Sequence, residues 1–138
     1  MNYYSFDELK IGMEESFSVE VDSKKLDMFR DITGDTNLLH NDTAAARERG
    51  YADRVVFGML SASFMSTLAG VYLPGDKALI QSVESKFLKP VIVGERLTVT
   101  GKIVDMNDTV RRIELSVVMK NEKDERVLKG KMQVLVNG

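Results

Sequence analysis

A carboxylate and an imidazole stand five residues apart in the segment Gly34-Asp35-Thr36-Asn37-Leu38-Leu39-His40, and His40 is the only histidine in a 138-residue chain without cysteine. Imidazole is the one side chain whose unperturbed charge changes between pH 5 and 8. Any proton chemistry near neutrality therefore falls first to His40, with Asp35 as its partner and Asn37 between them. A carboxylate and an imidazole that reach one water can activate it or work as an acid and base pair. The spacing alone is weak, since Asp-x4-His arises often by chance, and a lone histidine can equally be a surface or satisfied core residue. Two further features sharpen it. Gly58 opens a strongly apolar segment, where the first N–H groups of a helix and its positive dipole end would gather. A glycine there lets a ligand carbonyl approach an N–H donor closely, as an oxyanion site needs, or merely lets the chain turn into the core. Ser66 follows on the same segment, and its hydroxyl needs a partner: it can orient Asp35 or bond back to a helix carbonyl.

These residues must be held by a fold. At 138 residues, with 43% hydrophobic and 29% charged side chains, the chain is expected to form one globular domain over residues 1–138 without disulfide or metal staples. The net charge of −2 argues against a nucleic-acid surface. With a single imidazole and no thiolate, no bound metal is expected. No phosphate-binding glycine loop or dinucleotide fingerprint occurs, and no serine sits in a nucleophile elbow, which argues against Ser-His-Asp hydrolysis. The first eight residues are too polar and acidic for a signal peptide, and the stretch from Val55 to Leu73 is interrupted by Gly58, Ser61, Ser63, Ser66, Thr67 and Gly70. A soluble, cytoplasmic protein with no membrane partner is the expectation.

Alternation of Phe17, Val19 and Val21 with polar residues predicts a strand. Asp22-Ser23 then offers an N-cap for a helix with Leu26, Met28, Phe29 and Ile32 as its apolar stripe, closing at Thr33-Gly34. The Asp35–His40 segment reads as a loop, and Asn41-Asp42-Thr43 can cap a second short helix, Ala44 to Arg49, closed by Gly50. From Gly58 to about Val71 almost no polar face remains, which predicts a buried helix. After the Leu73-Pro74-Gly75-Asp76 turn, four alternating stretches read as antiparallel strands, among them Leu79–Phe87 and Ile113–Met119. The economical arrangement is an α+β fold, with a curved antiparallel meander wrapped around the Gly58–Val71 helix.

Four blocks, Phe29–His40, Phe57-Gly58-Met59-Leu60, Leu73-Pro74-Gly75 and Phe87–Glu95, resemble in order and spacing the MaoC-like dehydratases, which include R-specific enoyl-CoA hydratases. The resemblance extends over roughly Phe6 to Val104. It implies a hot-dog fold, an antiparallel sheet around a long central α-helix, and a homodimer or higher homo-oligomer with joined sheets. It further implies reversible addition of water to trans-2-enoyl thioesters of coenzyme A or acyl carrier protein, without a cofactor. The family's catalytic Asp, His and oxyanion Gly fall on Asp35, His40 and Gly58. Asn37, Ser66, Phe57 and Met59 take supporting or substrate-binding places. Two positions depart from the family pattern: Leu38 stands where proline is usual, and Phe57 where a histidine precedes the oxyanion glycine. Two other functions stay open, a hot-dog thioesterase cleaving the same thioesters and a non-catalytic acyl-binding subunit.

Overall fold

The computed structural model describes residues 1–137. Its frame is one five-stranded antiparallel sheet, made of β1 (Glu14–Glu20), β2 (Ala78–Phe87), β3 (Arg96–Asn107), β4 (Arg112–Lys120) and β5 (Arg126–Val136), in the spatial order β1-β3-β4-β5-β2. Packed on one face is α4 (Gly58–Thr67), continued by a π-helical stretch from Leu68 to Tyr72. Three further helices, α1 (Ser23–Thr33), α2 (Leu38–Asn41) and α3 (Thr43–Glu48), form the connection between β1 and α4. This is the hot-dog arrangement of a sheet around a central helix.

The strict alternation of β4, in which Ile113, Leu115, Val117 and Met119 are fully buried, turns one face of the sheet toward α4. Leu97, Val99 and Ile103 of β3 and Met132 and Val134 of β5 extend the same layer, against which Met65, Leu68 and Ala69 pack. Each buried leucine or methionine in such a core is worth about 2–5 kcal/mol against alanine.

The local rules seen in the sequence hold for the helix ends. Asp22 caps α1 by accepting from the Lys25 N–H at 3.0 Å, and Gly34 closes it in the left-handed conformation (φ 76°), with its N–H on the Arg30 carbonyl at 2.7 Å. Asp42 caps α3 in the same way, from the Ala45 N–H at 2.9 Å.

Four expectations are corrected. The strands are not a sequential meander: β3, β4 and β5 are, but β2 crosses to the far edge and pairs only with β5. That edge position also leaves both faces of β2 largely exposed, including Leu79 and Val83, so its alternation does not mark a core face. On α1 only Leu26 is fully buried, while Met28 and Ile32 face outward, because the helix lies at the margin of the core. The helix is not buried all round: Met59, Ser63 and Ser66 are exposed, and the regular α-helix ends at Thr67.

Candidate active site

The candidate acid and base are presented by the turn between α1 and α2. Thr33 Oγ1 donates to the Phe29 carbonyl (2.8 Å) and accepts from the Asp35 N–H (3.2 Å), which fixes the chain as it leaves α1. One Asp35 carboxylate oxygen accepts from the Asn37 N–H at 3.0 Å, an Asx turn that aims the exposed carboxylate. Asn37 in turn caps α2, its Oδ1 accepting from the Leu39 N–H at 3.0 Å. The segment expected as a loop thus contains a four-residue helix, and His40 sits on it.

His40 is held from three sides. Its Nδ1 lies 2.7 Å from the Val55 carbonyl oxygen. A carbonyl only accepts, so Nδ1 carries the proton and Nε2 is the free ring nitrogen. The buried Phe57 ring stacks on the imidazole at 4.4 Å between centroids, and Phe29 packs on Phe57 at 4.9 Å. Arg54, only 12% exposed, donates through Nε to the His40 carbonyl (2.7 Å) and through a terminal nitrogen to Asp27 on α1 (2.8 Å). The segment carrying these contacts is itself pinned. The Val55 N–H bonds the Leu39 carbonyl, and the Val56 N–H the Val91 carbonyl. Asp53 precedes it, and hydrogen bonds from the Arg54 N–H (2.7 Å) and then the Thr43 hydroxyl (2.9 Å) hold its carboxyl below the usual carboxylate range.

Asp35, His40 and Gly58 line one cavity of about 380 Å³, together with Phe57, Met59 and Phe87. Gly58 heads α4, where backbone N–H groups lack intrahelical acceptors. The Phe87 ring lies against it so closely that an added Cβ would stand 3.1–3.3 Å from three ring atoms. A second, mostly apolar cavity of about 300 Å³ also opens on His40, Gly58 and Phe87, and is walled by Ser61, Val91 and Leu128. Asp35, His40 and the helix-heading Gly58 therefore border the same space, with an apolar chamber beside them. Among the described residues no cluster of three or more His, Asp or Glu side chains is arranged to hold a metal ion.

Of the residues singled out in the sequence, Ser66 is not brought to this place. It lies eight residues beyond Gly58, about 12 Å along the helix and about 80° around it. It is exposed and borders neither cavity. The sequence reading missed Ser61, Arg54 and Asn41. Asn41 Nδ2 donates to the carbonyls of Asp35 (3.1 Å) and Asn37 (2.8 Å), closing the turn between Asp35 and His40. Its place four residues after Asn37, within reach of an i−4 carbonyl, was the available signal.

Residues 8–126 match the MaoC-like domain family. The 3-hydroxybutyryl-CoA dehydratase of Methylorubrum extorquens is 30% identical over 131 residues, covering 95% of this chain and 83% of that protein. The (R)-specific enoyl-CoA hydratase of Rhodospirillum rubrum is 30% identical over 101 residues, covering 73% and 70% respectively. Among solved structures, the unliganded R-hydratase PhaJ1 of Pseudomonas aeruginosa superposes with a TM-score of 0.92 at 23% identity, covering 96% of this chain and 85% of that one.

Proposed function

The chain belongs to the MaoC-like domain family, and from that premise we propose that it is a hydro-lyase, an (R)-specific enoyl-CoA hydratase or 3-hydroxyacyl-CoA dehydratase acting on acyl thioesters. The observation that carries the reading is the shared border of Asp35, His40 and Gly58 on one cavity.

In this reading the thioester carbonyl accepts from the Gly58 N–H, which draws electron density from the conjugated double bond and makes C3 electrophilic. A water held between the Asp35 carboxylate and Nε2 of His40 attacks C3. Asp35 takes the proton that this water sheds, and the C2–C3 π pair moves toward the carbonyl as an enolate. His40, which in this reading enters the cycle with a proton on Nε2 as well as on Nδ1, delivers the Nε2 proton to C2, and the enolate collapses to the 3-hydroxyacyl thioester. Asp35 returns its proton to His40, and the cycle closes with one water consumed. The Nδ1–H to Val55 bond persists in both charge states of the ring, so Nε2 stays aimed while it gains and loses its proton. Positioned acid–base groups contribute about 10²–10⁴-fold and one oxyanion donor about 10²–10³-fold.

The acyl chain would lie in the neighbouring apolar chamber. Assembly as a homodimer fits the bare outer edge of β2, ten residues long with Leu79, Ile80 and Val83 exposed, since an apolar unpaired edge invites a second strand. β2 ends at Phe87, which borders both cavities, so pairing there would reach the site.

The test is incubation with crotonyl-CoA and longer trans-2-enoyl thioesters of both carriers, following enoyl absorbance and free thiol together. Loss of absorbance without thiol release, reduced at least about 100-fold in Asp35→Asn and His40→Ala, is the expected result. Thiol release would make it a thioesterase. Equal inertness of wild type and both variants would leave an acyl-binding subunit.

A further inference from the structure

The hydroxyl of Ser61 is the polar group that the mechanism above does not use. Ser61 is 4% exposed, the one polar residue among the buried side chains of the described chain. It sits on the wall of the apolar chamber that also opens on His40 and Gly58. No side-chain hydrogen bond ties it to any other described residue. The usual fate of a helical serine is to bond back to its own helix, and Ser63, two residues on, does so, donating to the Leu60 carbonyl at 2.6 Å. Ser61 does not. Its hydroxyl instead opens on the chamber, and a helical serine that forgoes its own helix carbonyl there is placed to donate to a ligand or water in that space.

Its position says which partner. Ser61 follows Gly58 by three residues, so both lie on one face of α4. Helical side chains lean toward the N-terminus, which carries the Ser61 oxygen back over the first turn, where the amide of Gly58 is free. Gly58 has no side chain to intervene.

We propose that the Ser61 hydroxyl is a second donor to the thioester carbonyl, acting with the Gly58 N–H on the oxygen that becomes the enolate. The role rests on the hydro-lyase reading and deepens it. No bond forms or breaks at Ser61: its proton stays on Oγ and the hydrogen bond strengthens as the carbonyl oxygen gains charge. An interaction that strengthens toward the transition state raises kcat rather than lowering KM. A donor facing the carbonyl also explains a hydroxyl in a chamber walled mostly by valine, leucine, proline and phenylalanine, with His40 and Lys89 the other polar side chains on its lining.

Two measurements on wild type, Ser61→Ala and Ser61→Thr test this. In steady-state hydration of crotonyl-CoA, Ser61→Ala should lose about 10- to 100-fold in kcat with KM changed less than about threefold, while Ser61→Thr, which keeps the hydroxyl, recovers most of the rate. The Tm of Ser61→Ala should equal or exceed that of wild type, because alanine is the better helix former and no protein hydrogen bond is removed. Infrared difference spectra of bound butyryl-CoA, carbon-13 labelled at the carbonyl, should show a red-shifted stretch in wild type that moves part of the way back in Ser61→Ala. An active wild type whose Ser61→Ala variant keeps kcat within about twofold, or loses Tm by several degrees, or leaves the stretch unmoved, overturns the role of Ser61 alone. An inert wild type overturns the hydro-lyase reading, and this role falls with it.

Discussion

Gly58→Ala separates the fold from the chemistry more cleanly than any other single change. The φ of Gly58 lies outside the left-handed region, so alanine is not strained there. A methyl at this point meets Phe87 Cε1, Cδ1 and Cζ at 3.1, 3.2 and 3.3 Å, a few tenths of an ångström inside the usual carbon–carbon separation. Phe87 is 52% exposed at the end of an edge strand, so its ring can give way. Alanine in place of glycine returns up to about 1 kcal/mol of helix propensity, less at the first position of a helix. The two effects oppose, and stability should change by no more than about 1 kcal/mol, a Tm shift within about 4 °C. Catalysis should respond far more. A carbonyl oxygen must come within about 3 Å of the Gly58 nitrogen to accept its proton, and the new methyl shares that approach. Losing one such donor costs about 2.7–4 kcal/mol, or about 10²–10³ in kcat. Initial rates of enoyl absorbance loss with saturating crotonyl-CoA, beside a melting curve, give both numbers. A variant melting as expected but keeping kcat within about threefold would refute the assignment of the Gly58 amide.

Two other outcomes follow from the structure. The Asp53 carboxyl is held below its ordinary value of 3.8, first by the Arg54 N–H and then by the Thr43 hydroxyl, so its stabilising contribution is complete above that value and disappears as pH falls through the lower folded value. Asp53→Asn should therefore melt below wild type at pH 6, with the gap closing as the pH drops below about 4; a gap independent of pH in melting curves would contradict it. At the sheet edge, Val83→Lys places a charge on the outer strand, and sedimentation velocity should show it smaller than a dimeric wild type. A wild type that sediments as a monomer would remove the β2 edge as an interface.

What could be read from the chain was what local chemistry dictates. The alternation of β4 and the caps at Asp22 and Asp42 are set by residues within a few positions, and each was legible. The pairing of β2 with β5 was not, because strand order depends on contacts about fifty residues apart and alternation carries no partner information. α2 was missed because four residues are too few to show a helical period. Asp35, His40 and Gly58 stood out by residue type, and the structure brings them to one cavity. Ser61 was passed over for Ser66 because a helix with little polar face gives no pattern by which to tell which serine points inward. Arg54 reads as an ordinary surface charge until the Asp27 carboxylate and the His40 carbonyl are seen on either side of it.

The two departures from the family pattern have a physical answer in the same turn. Leu38 is the first residue of α2, the position where proline is favoured because its fixed φ suits the helix start and its missing N–H is no loss. With leucine there, the order that proline would build into the chain must come from contacts. Asn37 caps the Leu39 N–H, Asn41 gathers the carbonyls of Asp35 and Asn37, and Arg54 ties the His40 carbonyl to α1 through Asp27. At about 0.5–1.5 kcal/mol each, these bonds exceed the roughly 0.4–1 kcal/mol that a well-placed proline saves in chain entropy. Phe57 acts on the other partner. Stacked on the imidazole and backed by Phe29, it restricts the ring while offering no hydrogen-bonding atom to compete for Nε2. The turn with leucine in place of proline is thus held around Asp35 by side-chain amides, and the wall with phenylalanine in place of histidine holds the His40 ring by an aromatic stack.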